Sequence, residues 1–269
     1  MKETDKLFVG SMPALYDRYL GPFIFEPYAQ DLAERVARFA PQRLLETAAG
    51  TGIVTRTMAR ALAESISITA TDLNQAMVDY AAAQTKAGNV TWRQADALAL
   101  PFADAAFDAV VCQFGVMFFP DKPAGYREAL RVLKPGGRFL FNVWDRIEEN
   151  EVSRVLTDAV AALFPADPPQ FLARTPHGYH DVAVIRDQLG QAGFARVEIE
   201  TVAKRGRALS ARDPAIGFCQ GSPLRSEIEA RDAGRLGEAT EAATRALAAC
   251  FGSGPIEGKI QAHVITATR

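Results

Sequence analysis

Three acidic residues stand where three apolar segments of the sequence end. Glu46 ends "RLLE", Asp72 ends "SITATD" and Asp96 ends "NVTWRQAD". If these segments are parallel strands, the three carboxylates lie at one edge of a sheet, which is where open α/β sheets bind ligands. Carboxylates at that edge would accept hydrogen bonds from hydroxyl or amino groups and would attract a cation.

The residues after Glu46, "TAAGTG", predict a tight turn that leads into a helix. Gly50 and Gly52 lack a Cβ atom, so backbone N–H groups and the helix N-terminus can approach a ligand there. Asp72 follows this pair by about 20 residues, the distance at which a carboxylate on the second strand meets ribose hydroxyls. The pattern therefore indicates a ligand that contains adenosine.

Three classes of nucleotide site compete for this turn. A P-loop NTPase needs GxxxxGK[ST], and the sequence after Gly50 offers no lysine to balance phosphate charge. An NAD(P)-dependent oxidoreductase needs a third glycine where this chain has Thr55, and Glu46 would repel its pyrophosphate, so this alternative is weakened but stays open. Glu46 would instead attract an ammonium group. A ligand with adenosine at one end and an amino acid at the other is S-adenosylmethionine, whose adenine amino group would then donate to Asp96.

Two of the acids also have simpler structural explanations. Asp72 could cap the helix that begins near Asn74, and Asp96 could be a turn residue before "ALALPF". Glu46 lacks such an explanation, because a carboxylate is costly to bury in an apolar strand without a partner. Taken together, the three acids favour a ligand site.

The elements that must position these acids alternate between strands and helices. The segments "RLLETAA", "SISITATD", "NVTWRQAD", "FDAVVCQ" and "GRFLFNVW" are typical of strands, the last following the turn "KPGG". Helical spacing is found before them in "FEPYAQDLAERVARF" and between them in "GIVTRTMARAL", "NQAMVDYAAAQTK" and "KPAGYREALRVL". This order predicts an α/β fold with a parallel sheet covered by helices on both faces.

Beyond residue 145 the alternation becomes irregular. "DVAVIRDQLGQAG" predicts a helix before the strand "ARVEIETV", and "KIQAHVITAT" predicts a final strand. The mostly helical stretch 207–256 between those strands is where a lid would be inserted. Within it, "SEIEARDAGRLGEATEAATRALAACF" predicts one amphipathic helix, which would pack on the protein's own sheet or on a second subunit of a homodimer.

Composition limits the class of partner. Thirty basic and thirty-two acidic residues give a formal charge of −2, so we expect no nucleic-acid partner. The three cysteines have no CxxC spacing, and we therefore expect neither a disulfide framework nor a metal site. The sequence has neither a secretory signal pattern nor a membrane-spanning apolar segment, so we expect a soluble cytoplasmic protein.

Four stretches of the sequence resemble the class I S-adenosylmethionine-dependent methyltransferases, specifically the ubiquinone/menaquinone-biosynthesis C-methyltransferase group. They are "LLETAAGTG", "ITATDLNQAMVDYA", "RQADALALPFADAAFDAVVCQFGVMFFPD" and "REALRVLKPGGRFLFNVW", and "LYDRYLG" adds a similar N-terminal element. The resemblance implies a Rossmann-like doubly wound sheet of seven strands in the order 3-2-1-4-5-7-6, with an antiparallel last strand at 257–267. It also implies one methyltransferase domain over 1–269, with an N-terminal helical cap (1–40), a cofactor-binding core (42–145) and the lid (207–256).

The resemblance further implies a cofactor, S-adenosylmethionine, with S-adenosylhomocysteine as the product. Asp72 would contact the ribose, Leu73 and Met77 the adenine face, and Asp96 with the Ala97 backbone the adenine edge. Position 48 is commonly Gly in the family; Ala48 is expected to keep φ below zero and to shift the turn only slightly. The implied cofactor contacts are Tyr19, Glu46, Thr47, Ala48, Gly50, Thr51, Gly52, Asp72, Leu73, Met77, Asp96, Ala97, Gln113 and Phe114.

Methyl transfer from a sulfonium is an in-line displacement, to which a protein contributes mainly alignment, up to about 7–11 kcal/mol. The rings of Phe114, Tyr16 and Tyr19 are candidates for cation–π contacts with the sulfonium. His177 and His180 are candidate general bases for an acceptor that carries a proton. A small aromatic or lipophilic acceptor would suit the apolar residues Tyr16, Met117, Trp144 and Phe171. A non-catalytic S-adenosylmethionine-binding protein stays open as an alternative.

Overall fold

The structure is a computed structural model that describes residues 10–269; residues 1–9 of the expected N-terminal cap lie outside the described range. Short 3-10 turns occur at Val116–Phe118, Ile147–Glu149 and Ala233–Arg235. In chain order the other elements are α1 (Met12–Leu15), a π-helix (Tyr16–Phe25), α2 (Glu26–Ala37), β1 (Arg43–Glu46), α3 (Ile53–Ala61), β2 (Ser67–Asp72), α4 (Gln75–Gln84), β3 (Val90–Gln94), β4 (Phe107–Gln113), α5 (Lys122–Val132), β5 (Leu133–Trp144), α6 (Glu151–Ala161), α7 (Phe171–Arg174), α8 (Val182–Ala192), β6 (Arg196–Ala208), α9 (Arg212–Gly221), α10 (Leu224–Asp232), α11 (Leu236–Phe251) and β7 (Ile256–Thr268).

The strands form one seven-stranded sheet in the order β3-β2-β1-β4-β5-β7-β6. Strands β1 to β5 pair in parallel, whereas β7 runs antiparallel to β6. The N–H of Ala195, just before β6, accordingly donates to the carbonyl of Thr268 at the end of β7 (2.9 Å). The α/β class and the strand order expected from the sequence are confirmed.

Burial along the strands follows their place in the sheet. Most of the central strand β4 is buried, whereas the edge strand β3 has no fully buried residue. A parallel sheet covered on both faces excludes water from both sides of its central strands, which therefore appear in the sequence as continuous apolar runs. This is why "FDAVVCQ" predicted β4 with its correct bounds.

The turn "KPGG" lies inside β5 and not ahead of it, unlike the sequence expectation. Phe107 pairs with Leu133 and Ala109 with Arg138, so extra residues of β5 bulge out between these two pairs. Gly136 in the bulge has φ = 77°, a left-handed conformation that glycine adopts without steric strain. Strands β4 and β5 are paired both before and after the bulge, and β5 therefore begins earlier than its apolar run suggested.

The helices begin and end at residues that suit their termini. The side chains of Asn74, Asp121 and Asp181 accept backbone N–H groups at the first turns of α4, α5 and α8. Gly193, with φ = 104°, ends α8. Over residues 10–269, no helix has both the length and the apolar character needed to cross a membrane.

The chain divides into two compact units, each built from separate segments. We call Tyr28–Val143, His180–Val202 and Ala262–Arg269 the sheet unit. The described part of Met1–Pro27, together with Trp144–Tyr179 and Ala203–Gln261, forms the helical unit. The domain bounds 1–40, 42–145 and 207–256, and the single domain over 1–269, stay predictions.

The prediction of one long helix in the lid is wrong, because the structure has two helices there. α10 ends at Asp232, whose carboxylate accepts the N–H of Gly234 (2.9 Å), and a 3-10 turn leads into α11. An aspartate side chain that bonds to nearby backbone competes with helical bonding, which explains the break. α11 packs on α6 and α9 within the helical unit, so helices rather than the sheet cover its apolar side. A homodimer stays a prediction.

Two glycines of α9 allow the N-terminal π-helix to approach closely. A Cβ atom on Gly217 would lie 2.6 Å from a methyl carbon of Leu20, and one on Gly221 would lie 2.9 Å from the backbone nitrogen of Tyr16. These residues are four apart, so they lie on the same face of α9. The spacing Gly-x-x-x-Gly is the sequence signal for this contact.

Asp108 joins the start of β1 to β5. Its carboxylate accepts the N–H groups of Gln42 (3.0 Å) and Arg43 (2.8 Å) and the ammonium of Lys134 (2.7 Å). Burial raises the pKa of this carboxyl, but the Lys134 ammonium and the two backbone N–H groups outweigh burial, so the pKa is lowered overall. The stability it adds is therefore present above the ordinary aspartate pKa and is lost as the pH falls through the lowered value.

We expect Asp108→Asn to reduce the free energy of unfolding by about 1 kcal/mol at pH 7. The difference from the unsubstituted protein should shrink as the pH falls below the ordinary aspartate pKa, because the wild-type carboxyl gains a proton as the pH approaches its lowered value. Urea unfolding at several pH values measures both. The matched control is Asp104→Asn, because the Asp104 side chain is 75% exposed beside Arg131 and should matter less. A loss that is equal at pH 7 and pH 3 would contradict the electrostatic explanation.

Candidate functional site

The turn after β1 has a left-handed backbone. Ala48 has φ = 52°, Gly50 has φ = 55° and Gly52 has φ = 83°. The expectation that Ala48 keeps φ below zero is wrong: the turn imposes a conformation that costs an L-residue about 1–2 kcal/mol. A hydrogen bond from the N–H of Ala49 to the carbonyl of Thr71 (2.9 Å) attaches the turn to β2. The geometry at position 48 is thus the one that glycine adopts most easily.

Glu46 is an acid buried below this turn, with only 1% of its surface exposed. Its Oε2 atom accepts a hydrogen bond from the hydroxyl of Thr55 (2.5 Å). Burial raises the pKa of Glu46 to about 8; the Thr55 hydroxyl and the Arg56 charge act against this, and the Asp72 charge adds to it. Thr55 is the residue that replaces the third glycine of a dinucleotide site, and here it holds the acid.

Asp72 connects the turn to the next helix. Its Oδ2 accepts the N–H of Gly50 (2.8 Å) and its Oδ1 accepts the N–H of Asn74 (2.8 Å). Asn74 itself caps α4, so the structural alternative for Asp72 is correct only in that Asp72 holds the capping residue. The backbone N–H of Leu73 also bonds to this carboxylate, which has sites for about four donors. The contact of Asp72 with ribose hydroxyls stays a prediction.

Arg56 belongs to the same site and was not identified from the sequence. Its guanidinium donates to the backbone carbonyl of Thr51 (2.5 Å), and its charge lowers the pKa of Glu46. A residue four positions after Gly52 lies one helical turn above the glycine turn. The four-residue spacing between Gly52 and Arg56 could therefore have indicated this residue from the sequence.

Trp92 limits what can stand at the start of α3. A Cβ atom on Gly52 would lie 2.9 Å from the Trp92 ring and 3.0 Å from the Cβ of Ala81. Glycine is therefore required both by this contact and by the left-handed φ. Trp92 is on β3, and only the sheet order brings it to α3, so no local pattern predicts the contact.

The residues expected at the adenine lie just after β2, in α4 and just after β3. Leu73 is 48% exposed, whereas Met77 is buried in α4. Asp96 is exposed and its Oδ1 accepts the N–H of Leu98 (2.9 Å), which is the turn geometry considered as its structural alternative. Ala97 beside it is half-buried. Their contacts with adenine stay predictions.

The residues after β4 adopt an unusual conformation. Phe114 has φ = 52°, and its N–H donates to the side-chain Oδ1 of Asn142 (2.9 Å). The ring of Phe114 packs edge-to-face on Tyr28, with centroids 5.4 Å apart. Gln113, which ends β4, pairs in register with Asn142. Asn142 was not identified from the sequence.

Gly115 provides the space that Ala48 occupies. A Cβ atom on Gly115 would lie 2.4 Å from the Cβ of Ala48 and 2.7 Å from the Sγ of Cys112. No real Cβ atom tolerates such distances, so an alanine at 48 and a side chain at 115 exclude each other unless the loops move. The turn after β1 and the loop after β4 are in direct contact here. Thr47, at the start of the first, is buried.

Three expected acceptor-site residues lie in the helical unit. Tyr16 stacks on Phe25 (centroids 4.8 Å apart), Phe25 contacts Trp144 (6.4 Å), and Trp144 contacts the ring of His177 (6.2 Å). We call these four residues the aromatic row. Phe171 is buried in the same unit.

The remaining expected residues are divided between the units. Tyr19, in the helical unit, has the guanidinium of Arg18 over its ring (5.2 Å). Met117, buried, and His180, half-buried, belong to the sheet unit. The roles of all these residues stay predictions.

Comparisons with known proteins agree on one family. A methyltransferase domain matches residues 45–141. The ubiquinone/menaquinone biosynthesis C-methyltransferase UbiE of Pseudomonas paraeruginosa is 32% identical over 168 residues, 58% of this chain and 66% of that protein, so the chain spans just under two thirds of this relative. The protein of the same name from Saccharophagus degradans is 30% identical over 169 residues, 58% of this chain and 68% of that protein.

A solved structure supports the fold. Phosphoethanolamine N-methyltransferase 2 of Haemonchus contortus, in complex with S-adenosyl-L-methionine, has a TM-score of 0.58 at 17% identity, covering 96% of this chain and 56% of that chain. At this identity the similarity is one of fold.

The sheet order, with an acid ahead of a glycine turn, is that of the Rossmann-like methyltransferases. The chain belongs to the class I S-adenosylmethionine-dependent methyltransferases, in their ubiquinone/menaquinone-type group. The cofactor of this family is S-adenosylmethionine.

The residues around the turn fit this cofactor. Glu46 is a buried acid whose charged form needs a cation, and an ammonium group supplies one. The hydroxyl oxygen of Thr51 is buried and has no hydrogen-bond partner within residues 10–269, so it can bond to a polar ligand group. The Asp72 carboxylate is an acceptor at the end of β2 and suits hydroxyl donors.

We expect Glu46→Gln to weaken binding of S-adenosylhomocysteine at least about tenfold, because an amide cannot pair with the ammonium group. In the wild type, Glu46 must lose its proton when the ligand binds. Affinity should therefore rise from pH 5.5 to 7.5, where an α-amino group is still mostly protonated. The variant should show no such rise.

Titration calorimetry at pH 6.5 in two buffers of different ionisation enthalpy measures this proton directly. The wild type should release close to one proton, and Glu46→Gln should release none. The variant should melt no lower than the wild type at pH 8, because it lacks a carboxyl that disfavours its charged form when buried. Proton release by the variant equal to that of the wild type would contradict the role of Glu46.

Proposed function

We propose that the protein is an enzyme that transfers the methyl group of S-adenosylmethionine to a small aromatic or lipophilic acceptor by in-line attack on the methyl carbon. The observation that carries this proposal is the buried Glu46 beneath the glycine turn, because a cationic ligand would stabilise the charged form of this carboxyl. Two relatives are quinone-biosynthesis C-methyltransferases by name, so a quinone-like ring is the acceptor class we propose first.

Residues of the chain would bind and orient the cofactor, which supplies an activated methyl group on a positively charged sulfur. Glu46 would neutralise the ammonium group and Thr51 would bond to the amino-acid end. Asp72 would hold the ribose while keeping the N–H of Gly50 in place. Orientation of this kind lowers the barrier mainly by removing the entropy of bringing two reactants together.

The aromatic row would receive the acceptor. Planar rings stack favourably on aromatic side chains, with gains of about 0.5–1.5 kcal/mol beyond area burial. The rings of Tyr16, Phe25 and Trp144 lie in series in the helical unit. Met117 and Phe171 are further apolar candidates for acceptor contacts.

His177 would act as the general base where the acceptor carries an ionisable proton. Its Nδ1 lies 2.7 Å from the backbone carbonyl of Asp145, and a carbonyl can only accept, so Nδ1 carries the hydrogen. In the neutral imidazole Nε2 is then the atom with the lone pair. The His180 side chain is half-buried and belongs to the sheet unit.

The test is transfer of label from methyl-tritiated S-adenosylmethionine to a panel of quinols, phenols and long-chain lipophiles. We expect label in at least one ring acceptor and equimolar S-adenosylhomocysteine. If S-adenosylhomocysteine binds and no acceptor becomes labelled, the protein is a non-catalytic cofactor-binding protein. If NADH binds and S-adenosylhomocysteine does not, the oxidoreductase alternative is correct and the proposal is wrong.

His177→Asn should lower kcat about 10²–10⁴-fold while KM changes little, because a positioned base acts in the transition state. An asparagine keeps a donor for the Asp145 carbonyl but removes Nε2. Activity of the variant should recover with rising pH as the acceptor ionises unaided. His263→Asn is the matched control, since His263 bonds to Thr201 in the sheet unit (3.0 Å). Unchanged kcat in His177→Asn would exclude this base.

A further inference from the structure

Asn142 is a fully buried amide in the middle of the sheet unit. It lies on β5, next to the end of β4, with 0% of its surface exposed. Its Oδ1 accepts the N–H of Phe114 (2.9 Å), which fixes the orientation of the amide because only the oxygen can accept. Its Nδ2 has no hydrogen-bond partner among residues 10–269.

Fold stability does not account for this side chain. An unpaired buried donor costs about 1–3 kcal/mol, so a leucine of similar shape would avoid that loss. The N–H of Phe114 also has a second acceptor, the backbone carbonyl of Asn142 (3.2 Å), and would not be left unpaired. The amide oxygen is an additional acceptor beside this carbonyl, and together the two hold the backbone at Phe114 in one orientation.

That orientation is strained. Phe114 has φ = 52°, a conformation that bulky residues rarely adopt. The next residue, Gly115, provides the space that the Cβ of Ala48 occupies, so the loop after β4 is in contact with the turn after β1. A change of φ at Phe114 would move Gly115 and with it the support of Ala48.

We propose that Asn142 is a positioning residue of the cofactor site. Its amide oxygen holds Phe114 in the left-handed conformation. Gly115 is thereby placed where it leaves room for the Cβ of Ala48. The turn that carries Gly50 therefore keeps its shape. The chain of contacts runs from a rigid central strand to the turn. The inference rests on the proposed function because it concerns the turn that would bind S-adenosylmethionine.

The first experiment tests, without any ligand, whether the Asn142 side chain holds the backbone at Phe114. Hydrogen exchange of the Phe114 amide is measured by NMR in the wild type and in Asn142→Leu. We expect exchange at least about tenfold faster in the variant, with a melting temperature within a few degrees of the wild type. Unchanged exchange at Phe114 overturns the proposal.

The second experiment titrates S-adenosylhomocysteine into the same proteins. Asn142→Leu should weaken binding about tenfold. In a Phe114→Gly background, where glycine adopts the left-handed φ without strain, adding Asn142→Leu should weaken binding less than about threefold. An equal loss in both backgrounds, or an unchanged affinity, overturns the proposal.

Two controls keep these outcomes distinct. Thr240→Val removes a buried hydroxyl of the helical unit that donates to the backbone carbonyl of Leu236. It should lower the melting temperature without changing the affinity for S-adenosylhomocysteine. If Asn142→Leu alone fails to fold, the double variant with Phe114→Gly should fold, and its failure to do so also overturns the proposal. If the wild type does not bind S-adenosylhomocysteine, the proposed function fails. Amide exchange at Phe114 then still decides whether Asn142 holds the backbone there.

Discussion

The burial of one carboxyl group determines how the candidate site is arranged. Glu46 ends a strand on which no solvent can reach it, and the surrounding elements supply a hydroxyl from Thr55 and a more distant charge from Arg56. Neither group offsets the loss of hydration, which is why the carboxyl favours its neutral form. The turn above it is left-handed at Ala48, Gly50 and Gly52, and the hydroxyl oxygen of Thr51 within it is buried without a hydrogen-bond partner among residues 10–269. The carboxyl thus favours its charged form only when a cation enters the site.

Features that depend on local sequence could be predicted, and features that depend on sheet register could not. Acids at strand ends, the glycine turn and the βα alternation are all set by neighbouring residues, so Glu46, Asp72 and the α/β class were available from the sequence. The strand order was available only through the resemblance to the methyltransferase family. Asn142 is 28 residues from Phe114 and meets it only because β4 and β5 pair in one register. No periodicity in the chain encodes that meeting.

Position 48 shows where a rule based on residue type falls short. Alanine disfavours a left-handed backbone, yet hydrogen bonds of the turn and the space left by Gly115 together impose that backbone on Ala48. The break between α10 and α11 is the converse: amphipathic spacing suggested one helix, and a single aspartate bonding to Gly234 ended it. Tertiary contacts override preference in the first example, and a local side-chain bond overrides periodicity in the second.

The glycine face of α9 has a mechanical consequence. Gly217 faces the side chain of Leu20, whereas Gly221 faces the backbone of Tyr16 at the start of the π-helix. A side chain at position 221 would therefore push the start of the π-helix away from α9, because backbone atoms cannot give way by a change of rotamer. Tyr16 takes part in this contact and its ring begins the aromatic row, so the glycine at position 221 also determines where the stacking of Tyr16 on Phe25 can occur.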